Sequence, residues 1–142
     1  MNHHQIDVQV YYEDTDHSGV VYHANYLRYF ERAREHLLGI EHLLTLGRDG
    51  IGFVVYKAEL TYRQGAVFGD LLEVRTTVEQ ESPYRLHFDQ QCWKGEELLV
   101  QGFIQLVCVG RDRQLIRLPK LVLHELERSH AFSASDNPLS PH

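Results

Sequence analysis

The chain has 142 residues, 43% of them hydrophobic, which fits one domain with its own core and leaves no room for a second. Its 14 basic and 20 acidic residues give a net charge of -6, which argues against a nucleic-acid binder held by phosphate contacts. The two cysteines, Cys92 and Cys108, lie in apolar strand-like runs, so we expect free buried thiols rather than a disulfide framework.

The first ten residues show neither the charged n-region nor the apolar h-region of a signal peptide. Nowhere do about 18 apolar residues follow one another, the length that a membrane-spanning helix needs. We therefore expect a cytoplasmic protein that is not an integral membrane protein.

A strand and an acidic loop open the chain. Apolar residues at positions 6, 8 and 10 alternate with polar ones, which indicates a strand with one buried face. The loop that follows carries Asp14, Asp16 and His17, and Gly19 then supplies a residue that tolerates any turn conformation. The strand is thus expected to deliver this loop to the start of the next element.

A helix is predicted to begin at about His23 and to end at Gly39. One face is apolar and the opposite face is charged, so the helix should lie on an apolar surface. The apolar stripe comprises Tyr26, Phe30, Ala33, Leu37 and Ile40, and the charged face comprises Arg28, Glu31, Arg32 and Glu35.

Beyond the helix, period-two alternation dominates the sequence. A short helix over residues 41–46 and a turn over residues 48–52 come first. Strands are then predicted over residues 53–63, 72–78, 86–92 and 98–109, with turns at Ser82-Pro83 and Lys94-Gly95. The last of these strands is apolar on both faces, which is typical of a central strand or of one near a subunit interface. A final helix is predicted over residues 121–128.

One early helix and four later strands predict an α+β fold, in which an antiparallel sheet carries a helix on one face. We assign residues 1–130 to a single domain. Residues 131–142 are polar and contain proline, so we expect a flexible C-terminal tail there.

The junction between the acidic loop and the helix is the best candidate for chemistry. A helix beginning at about His23 leaves its first backbone N–H groups unpaired and carries roughly half a positive charge, which would stabilise a polarised carbonyl oxygen. Asp16, just before it, could attack that carbonyl or activate a water that does. The pattern indicates acyl transfer. Residue types alone also allow a simpler role, in which Asp14, Thr15 and Ser18 only form turns and caps.

Other catalytic centres have weaker support. Asp14, Asp16, His17 and His23 are close enough in sequence to share a cation, but they match no recognised ligand spacing, so we expect no metal. Ser18 lies outside a G-x-S-x-G motif, which disfavours a serine nucleophile. The cysteines lie within strands and lack an activating basic neighbour in sequence.

The run Y-x-E-D-T-D-x-x-G-V-V-Y-H-A-x-Y, from Tyr11 to Tyr26, resembles the active-site signature of hotdog-fold acyl-CoA thioesterases of the 4-hydroxybenzoyl-CoA type. It is most similar to the bacterial Tol-Pal-associated branch. Weaker similarity extends over roughly residues 5–125. The resemblance implies a hotdog fold, in which the sheet wraps around the long central helix.

The same resemblance implies the roles of individual residues. Asp16 becomes the catalytic carboxylate, either as the nucleophile or as the general base for water. The backbone N–H of His23 binds the thioester oxygen, and its side chain assists. Further substrate contacts are expected from the rest of the motif, which contributes Gly19, Val20, Val21, Tyr22 and Tyr26.

The resemblance further implies an acyl-CoA substrate, with an acyl carrier protein thioester as an open alternative, and no cofactor, because CoA is part of the substrate. Family members pair as dimers through sheet edges, many stack into tetramers, and the active sites lie at the dimer interface. We expect a homodimer or homotetramer. The basic residues after the last strand could meet the CoA phosphates, with Arg63 and Arg85 as further candidates, although ordinary surface charge on a solvated turn explains them equally well; these residues are Arg111, Arg113, Arg117 and Lys120.

Two alternatives stay open. The chain could be a non-catalytic module that binds acyl-CoA or a carrier protein, although the retained Asp16 argues against it. It could also be a hotdog hydratase, but those relatives pair histidine and acid differently. One departure concerns the loop after the first long strand, where the family's common proline is missing and only Ala66 and Asp70 match, so its shape is in question.

Overall fold

A computed structural model describes residues 2–134 of the chain. These residues form three α-helices and a seven-stranded sheet, so the predicted α+β fold is confirmed. No helix in this part of the chain is long and apolar enough to cross a membrane. The strands are β1 (His4–Gln9), β2 (Gly52–Tyr62), β3 (Leu71–Ser82), β4 (Arg85–Lys94), β5 (Glu97–Val109), β6 (Leu115–Ile116) and β7 (Phe132–Ala134), and the helices are α1 (Asn25–Leu38), α2 (Ile40–Arg48) and α3 (Lys120–Arg128).

The five longer strands lie in the order β1-β3-β4-β5-β2, and all neighbours are antiparallel. β6 pairs with the end of β5, and β7 runs parallel to β3. Strand β5 therefore lies inside the sheet, as its two apolar faces predict, while β2 forms one edge.

Helix α1 packs on one face of this sheet and forms the core with it. Tyr29, Phe30 and Ala33 of α1 are fully buried, and so are Phe88 and Cys92 of β4. Both cysteines are free and buried, as predicted, and burial raises the pKa of the Cys92 thiol to about 12. They are core residues rather than nucleophiles.

A glycine on β5 allows the helix to approach the sheet closely. A Cβ atom on Gly102 would lie only 2.7 Å from the ring of Phe30, so a larger residue would push α1 away. A second glycine, Gly39, ends α1 as predicted, since its φ of 99° is one that other residues rarely adopt.

Several boundaries differ from the sequence-based predictions. Helix α1 begins at Asn25, two residues after the expected His23. Ile40 does not extend the apolar stripe, because the chain turns at Gly39 and Ile40 starts α2 with 45% of its surface exposed. Arg34 is buried on the sheet side of α1 although Arg32 and Glu35, close to it in sequence, are charged and exposed.

The predicted tail is wrong for its first residues. Phe132–Ala134 form β7 and pair with residues 78–80 of β3, and Val78 N donates to Ala131 O at 2.9 Å. Residues 135–142 of the predicted tail lie outside the described residues.

Candidate active site

Asp14 ties the acidic loop to the start of α1. Its Oδ2 accepts a hydrogen bond from Tyr11 N at 2.8 Å, and its Oδ1 accepts one from Asn25 Nδ2 at 2.9 Å. Its carbonyl oxygen accepts a third from Tyr22 N at 2.9 Å. Asp14 is buried, and these bonds are those of a residue that holds a turn rather than one that reacts.

Asp16, two residues later, is exposed. Both hydrogen bonds to its Oδ1 come from Ser18, one from the backbone N at 2.9 Å and one from Oγ at 2.6 Å. These two bonds lower the pKa of the Asp16 carboxyl, and the nearby His17 and His23 act in the same direction. The group is therefore ionised at neutral pH, as a nucleophile or a general base must be. Its Oδ2 makes no hydrogen bond within residues 2–134.

Ser18 and Thr15 are thus polar turn residues, as the simpler reading of this loop suggests, but Ser18 also fixes the carboxylate. The loop is tight because Asp16 N donates to Val20 O and Gly19 N donates to Asp16 O, both at 2.9 Å. Gly19 makes the turn possible with a φ of 89°.

The turn between this loop and α1 presents unpaired donors. Asn25 N donates to Tyr22 O at 2.8 Å, but within the described residues the N–H groups of His23 and Ala24 make no hydrogen bond. The partial positive charge of the helix N-terminus adds to these donors. An oxygen atom with developing negative charge would be stabilised here.

His23 is held between two aromatic rings. Its imidazole lies 4.5 Å from the Tyr22 ring and 6.2 Å from the Tyr62 ring, measured between centroids. Tyr62 Oη also donates a hydrogen bond to His23 O at 3.0 Å, which anchors the helix start to the end of β2. From the sequence, Tyr62 is only part of the strand predicted over residues 53–63, because nothing in the spacing links residues 39 positions apart.

The other residues of the motif divide into two groups. Gly19, Val20 and Tyr22 reach the surface, and Tyr22 is 46% exposed. Val21 and Tyr26 are buried: Val21 N donates to Ala66 O at 2.8 Å, and Tyr26 Oη accepts from Ala66 N at 3.1 Å. These two residues support the site from beneath.

The loop that lacks the family proline is nevertheless fixed. Gly69 N donates to Val10 O at 3.0 Å, and Val10 N donates to Asp70 O at 2.9 Å. The Asp70 carboxylate accepts from Val67 N at 2.9 Å and lies 3.1 Å from Lys94 Nζ. Hydrogen bonds from Val10 and from within the loop thus restrain it in place of the missing proline.

The structure does not bring the two candidate arginines together within one chain. Arg63 follows β2 beside Tyr62, and its backbone N donates to Leu99 O at 2.8 Å. Arg85 lies opposite Val107, with its guanidinium 4.6 Å from the centre of the Tyr56 ring. Leu99 and Val107, the β5 residues beside Arg63 and Arg85, are eight positions apart, which is about 27 Å along an extended strand. The basic residues at positions 111–120 follow β5 and lie at the Arg85 end.

The chain is similar to known proteins over most of its length. A family model described as "Thioesterase-like superfamily" matches residues 10–126. The acyl-CoA thioester hydrolase YbgC of Escherichia coli O6:H1 is 37% identical over 125 residues, which cover 85% of this chain and 93% of that protein. The acyl-CoA thioesterase YbgC of Haemophilus influenzae is 38% identical over 119 residues, covering 81% and 88%.

Solved structures agree with these sequence matches. A 1,4-dihydroxy-2-naphthoyl-CoA thioesterase from Synechocystis superposes with a TM-score of 0.81 at 27% identity, covering 89% of this chain and 96% of that one. The hotdog fold inferred from the motif is therefore confirmed. The chain belongs to the thioesterase-like superfamily and is a hotdog-fold thioesterase.

Proposed function

We propose that this protein hydrolyses the thioester bond of an acyl-CoA, releasing the free acid and the CoA thiol. The observation that carries the proposal is the ionised, exposed Asp16 carboxylate on the loop that leads into the unpaired N–H groups of His23 and Ala24, just before α1. One group supplies the electron pair, and the other stabilises the charge that then develops on the carbonyl oxygen.

In the proposed reaction, the thioester carbonyl oxygen accepts a hydrogen bond from the His23 N–H. Asp16 then acts in one of two ways. As a nucleophile, its free Oδ2 attacks the carbonyl carbon, the C–S bond breaks, the thiolate leaves, and water hydrolyses the mixed anhydride. As a general base, it takes a proton from a water that attacks the same carbon, and that proton finally goes to the departing sulfur.

The His23 side chain extends this site towards the leaving group. Tyr22 and Tyr62 hold the imidazole beside the helix N-terminus, where it can position the attacking water or the departing sulfur. Replacing His23 with Ala keeps the backbone donor, so considerable turnover survives while the contribution of the imidazole is lost.

A dimer would complete the binding surface for CoA. β2 is an edge strand with exposed apolar side chains, and antiparallel pairing of two β2 strands about their middle places the Gly52 end of one, where Arg85 lies, beside the Tyr62 end of the other. Arg85 of a partner subunit then approaches Arg63 and the Asp16 loop. Two arginines from different subunits would thus reach the CoA phosphates.

A thiol-release assay with a panel of acyl-CoAs tests this function directly. We expect hydrolysis without added metal or redox cofactor, and acyl carrier protein thioesters in the same assay distinguish the two carriers. Tight acyl-CoA binding without any thiol release would instead identify a binding module, and hydration of an enoyl-CoA would identify a hydratase.

A further inference from the structure

A groove runs beside the candidate active site, between α1 and the edge strand β2. It consists of two adjoining cavities of about 280 and 220 Å³. Both are lined by Glu31, Arg34 and Val55, and the first extends towards Leu27 near the start of α1. Apart from its charged residues, the first cavity has an apolar wall, which includes Ala58 of β2 and Ile104 of β5. We call this feature the α1–β2 groove.

Among the charged residues that line this groove, Arg34 is the buried one. Only 6% of its surface is exposed, and its Nη1 donates a hydrogen bond to Gln90 Oε1 at 3.0 Å. Gln90 is itself fixed, because its Nε2 donates hydrogen bonds to Phe30 O and Thr76 Oγ1, both at 3.0 Å. The guanidinium is therefore fixed in place by a buried network that joins α1 to β3 and β4.

This buried cation lacks an anion in contact with it. Among residues 2–134 the ion pairs do not include Arg34, and its Nε and Nη2 make no hydrogen bond. Glu31 and Glu35 line the same groove and favour the charged guanidinium only from a distance. Within residues 2–134 the Nε and Nη2 of Arg34 are not among the buried side-chain atoms without a partner, so these unused donors face the groove, where an acceptor on a ligand can meet them.

The distance between the N-terminus of α1 and Arg34 limits which part of a substrate could supply an acceptor oxygen. Eleven residues separate His23 from Arg34, about 16 Å along an α-helix, and helical side chains point back towards the N-terminus by up to a turn. The guanidinium is therefore on the order of 12 Å from the donors at His23. With about 1.25 Å per bond of an extended carbon chain, an acyl group of about ten carbons spans this length.

We propose that Arg34 is a specificity-determining residue, which hydrogen-bonds an oxygen at the far end of the acyl group of the substrate. The preferred substrate is then a thioester of about ten carbons that ends in a hydroxyl or carboxylate rather than a methyl group. This proposal rests on the proposed thioesterase function. Arg28 and Arg34 balance Glu31 and Glu35 around the groove, so a neutral and an anionic oxygen both fit.

The test compares three CoA thioesters of equal length: decanoyl-CoA, its ω-hydroxy derivative and its ω-carboxy derivative. A hydrogen bond to a charged group is worth roughly a ten- to hundredfold difference in affinity, so at least one oxygen-ended substrate should have a correspondingly higher kcat/KM than decanoyl-CoA. Most of the difference should lie in KM, because Arg34 is remote from the reacting carbon. Whichever oxygen-ended substrate has the higher kcat/KM shows whether the site binds a hydroxyl or a carboxylate.

Arg34→Met removes the donor at similar volume, and Arg32→Met is the matched control, since Arg32 is exposed on the same helix and does not line the groove. Arg34→Met should lose the preference while still hydrolysing decanoyl-CoA, and Arg32→Met should keep it. Equal kcat/KM for the three substrates in the wild-type enzyme would overturn the proposal, as would an unchanged preference in Arg34→Met.

The outcomes separate this proposal from the proposed function. Hydrolysis of decanoyl-CoA without any preference would leave the thioesterase function intact and overturn only the role of Arg34. If neither these three nor any other acyl-CoA of the panel is hydrolysed, the thioesterase function fails, and calorimetric Kd values for the three thioesters still decide whether the groove selects an oxygen. The wild-type comparison also decides the matter if Arg34→Met does not fold.

Discussion

The hydroxyl group of Ser18 lies 2.6 Å from Asp16 Oδ1 and is the largest of the influences that lower the pKa of that carboxyl. Ser18→Ala should therefore raise the Asp16 pKa. Because Asp16 must be ionised to react, activity is lost as the pH falls through its pKa, and the acid limb of the profile of kcat/KM against pH should move to higher pH. Rate measurements over the acidic range test this.

Thr15→Val is the matched control for the Ser18 variant, because Thr15 Oγ1 donates to Tyr12 O at 2.7 Å and not to Asp16. Its acid limb should coincide with that of the wild type. An acid limb that does not move in Ser18→Ala would show that another group sets it.

Asn25 is the residue that links Asp14 to α1, through the 2.9 Å bond from its Nδ2. Asn25→Ala leaves one oxygen of a buried carboxyl without this donor, and we expect the free energy of unfolding to fall by about 1–3 kcal/mol. kcat should fall as well, because the loop with Asp16 is no longer held against the helix. Urea unfolding and steady-state kinetics measure the two effects.

Asn25→Asp sharpens this prediction. It is nearly isosteric but places a second carboxyl group beside Asp14, so it should be at least as destabilising as Asn25→Ala at neutral pH. Wild-type stability and turnover in both variants would contradict the positioning role of Asn25.

At the scale of elements, Tyr62 of β2 joins the sheet to the start of α1 through its hydrogen bond to His23 O. Tyr62→Phe keeps the ring but removes the hydroxyl, at a cost of about 0.5–1.5 kcal/mol, so kcat should fall by up to roughly tenfold. Thr61→Val is the control on the same strand, since Thr61 Oγ1 makes no hydrogen bond within the described residues. Equal loss in both variants would show that β2 is merely sensitive to substitution.

The elements that bury one face were predictable from the sequence. Leu72, Val74, Thr76 and Val78 of β3 alternate inward as predicted, and the stripe of α1 up to Leu37 lies on the sheet. Strands β6 and β7 were missed because two or three residues are too few to establish a period. Their pairing depends on tertiary neighbours that local sequence does not reveal.

The candidate site was predictable only in part, and for a related reason. Asp16 and the helix start are adjacent in sequence, so one motif contains both. Tyr62 and Arg34 owe their positions to contacts with residues 39 and 56 positions away, at His23 and Gln90. Arg34 also lies in a run of charged residues that is typical of a solvent-exposed face, so its burial gave no local signal.

At the scale of the whole molecule, the free edge of β2 is the main surface left to explain. Val54, Val55 and Tyr56 are each at least 47% exposed on an eleven-residue strand, and a long apolar edge of this kind pairs with another strand. We therefore expect a homodimer or a homotetramer built from such dimers. Sedimentation velocity at assay concentration measures the assembly.

Val54→Lys tests the edge directly, because it places a charge on the exposed apolar edge strand, and lysine on an edge strand opposes pairing with another strand. The variant should dissociate to a folded monomer and lose most of its activity if the site needs Arg85 of the partner. Leu44→Lys is the control, since Leu44 is 60% exposed on α2 and is not part of the edge strand. A fully active monomer would contradict a site shared between subunits.

The most direct measurement is the rate of thiol release by Asp16→Asn. The substitution removes the charge of an exposed loop residue, so the fold and the assembly should be unchanged, while kcat should fall by at least about a hundredfold. Asp14→Asn should have a milder effect on kcat, because Asp14 holds the turn without reacting. Turnover by Asp16→Asn within a few-fold of wild type would contradict the assignment of Asp16 as the catalytic carboxylate.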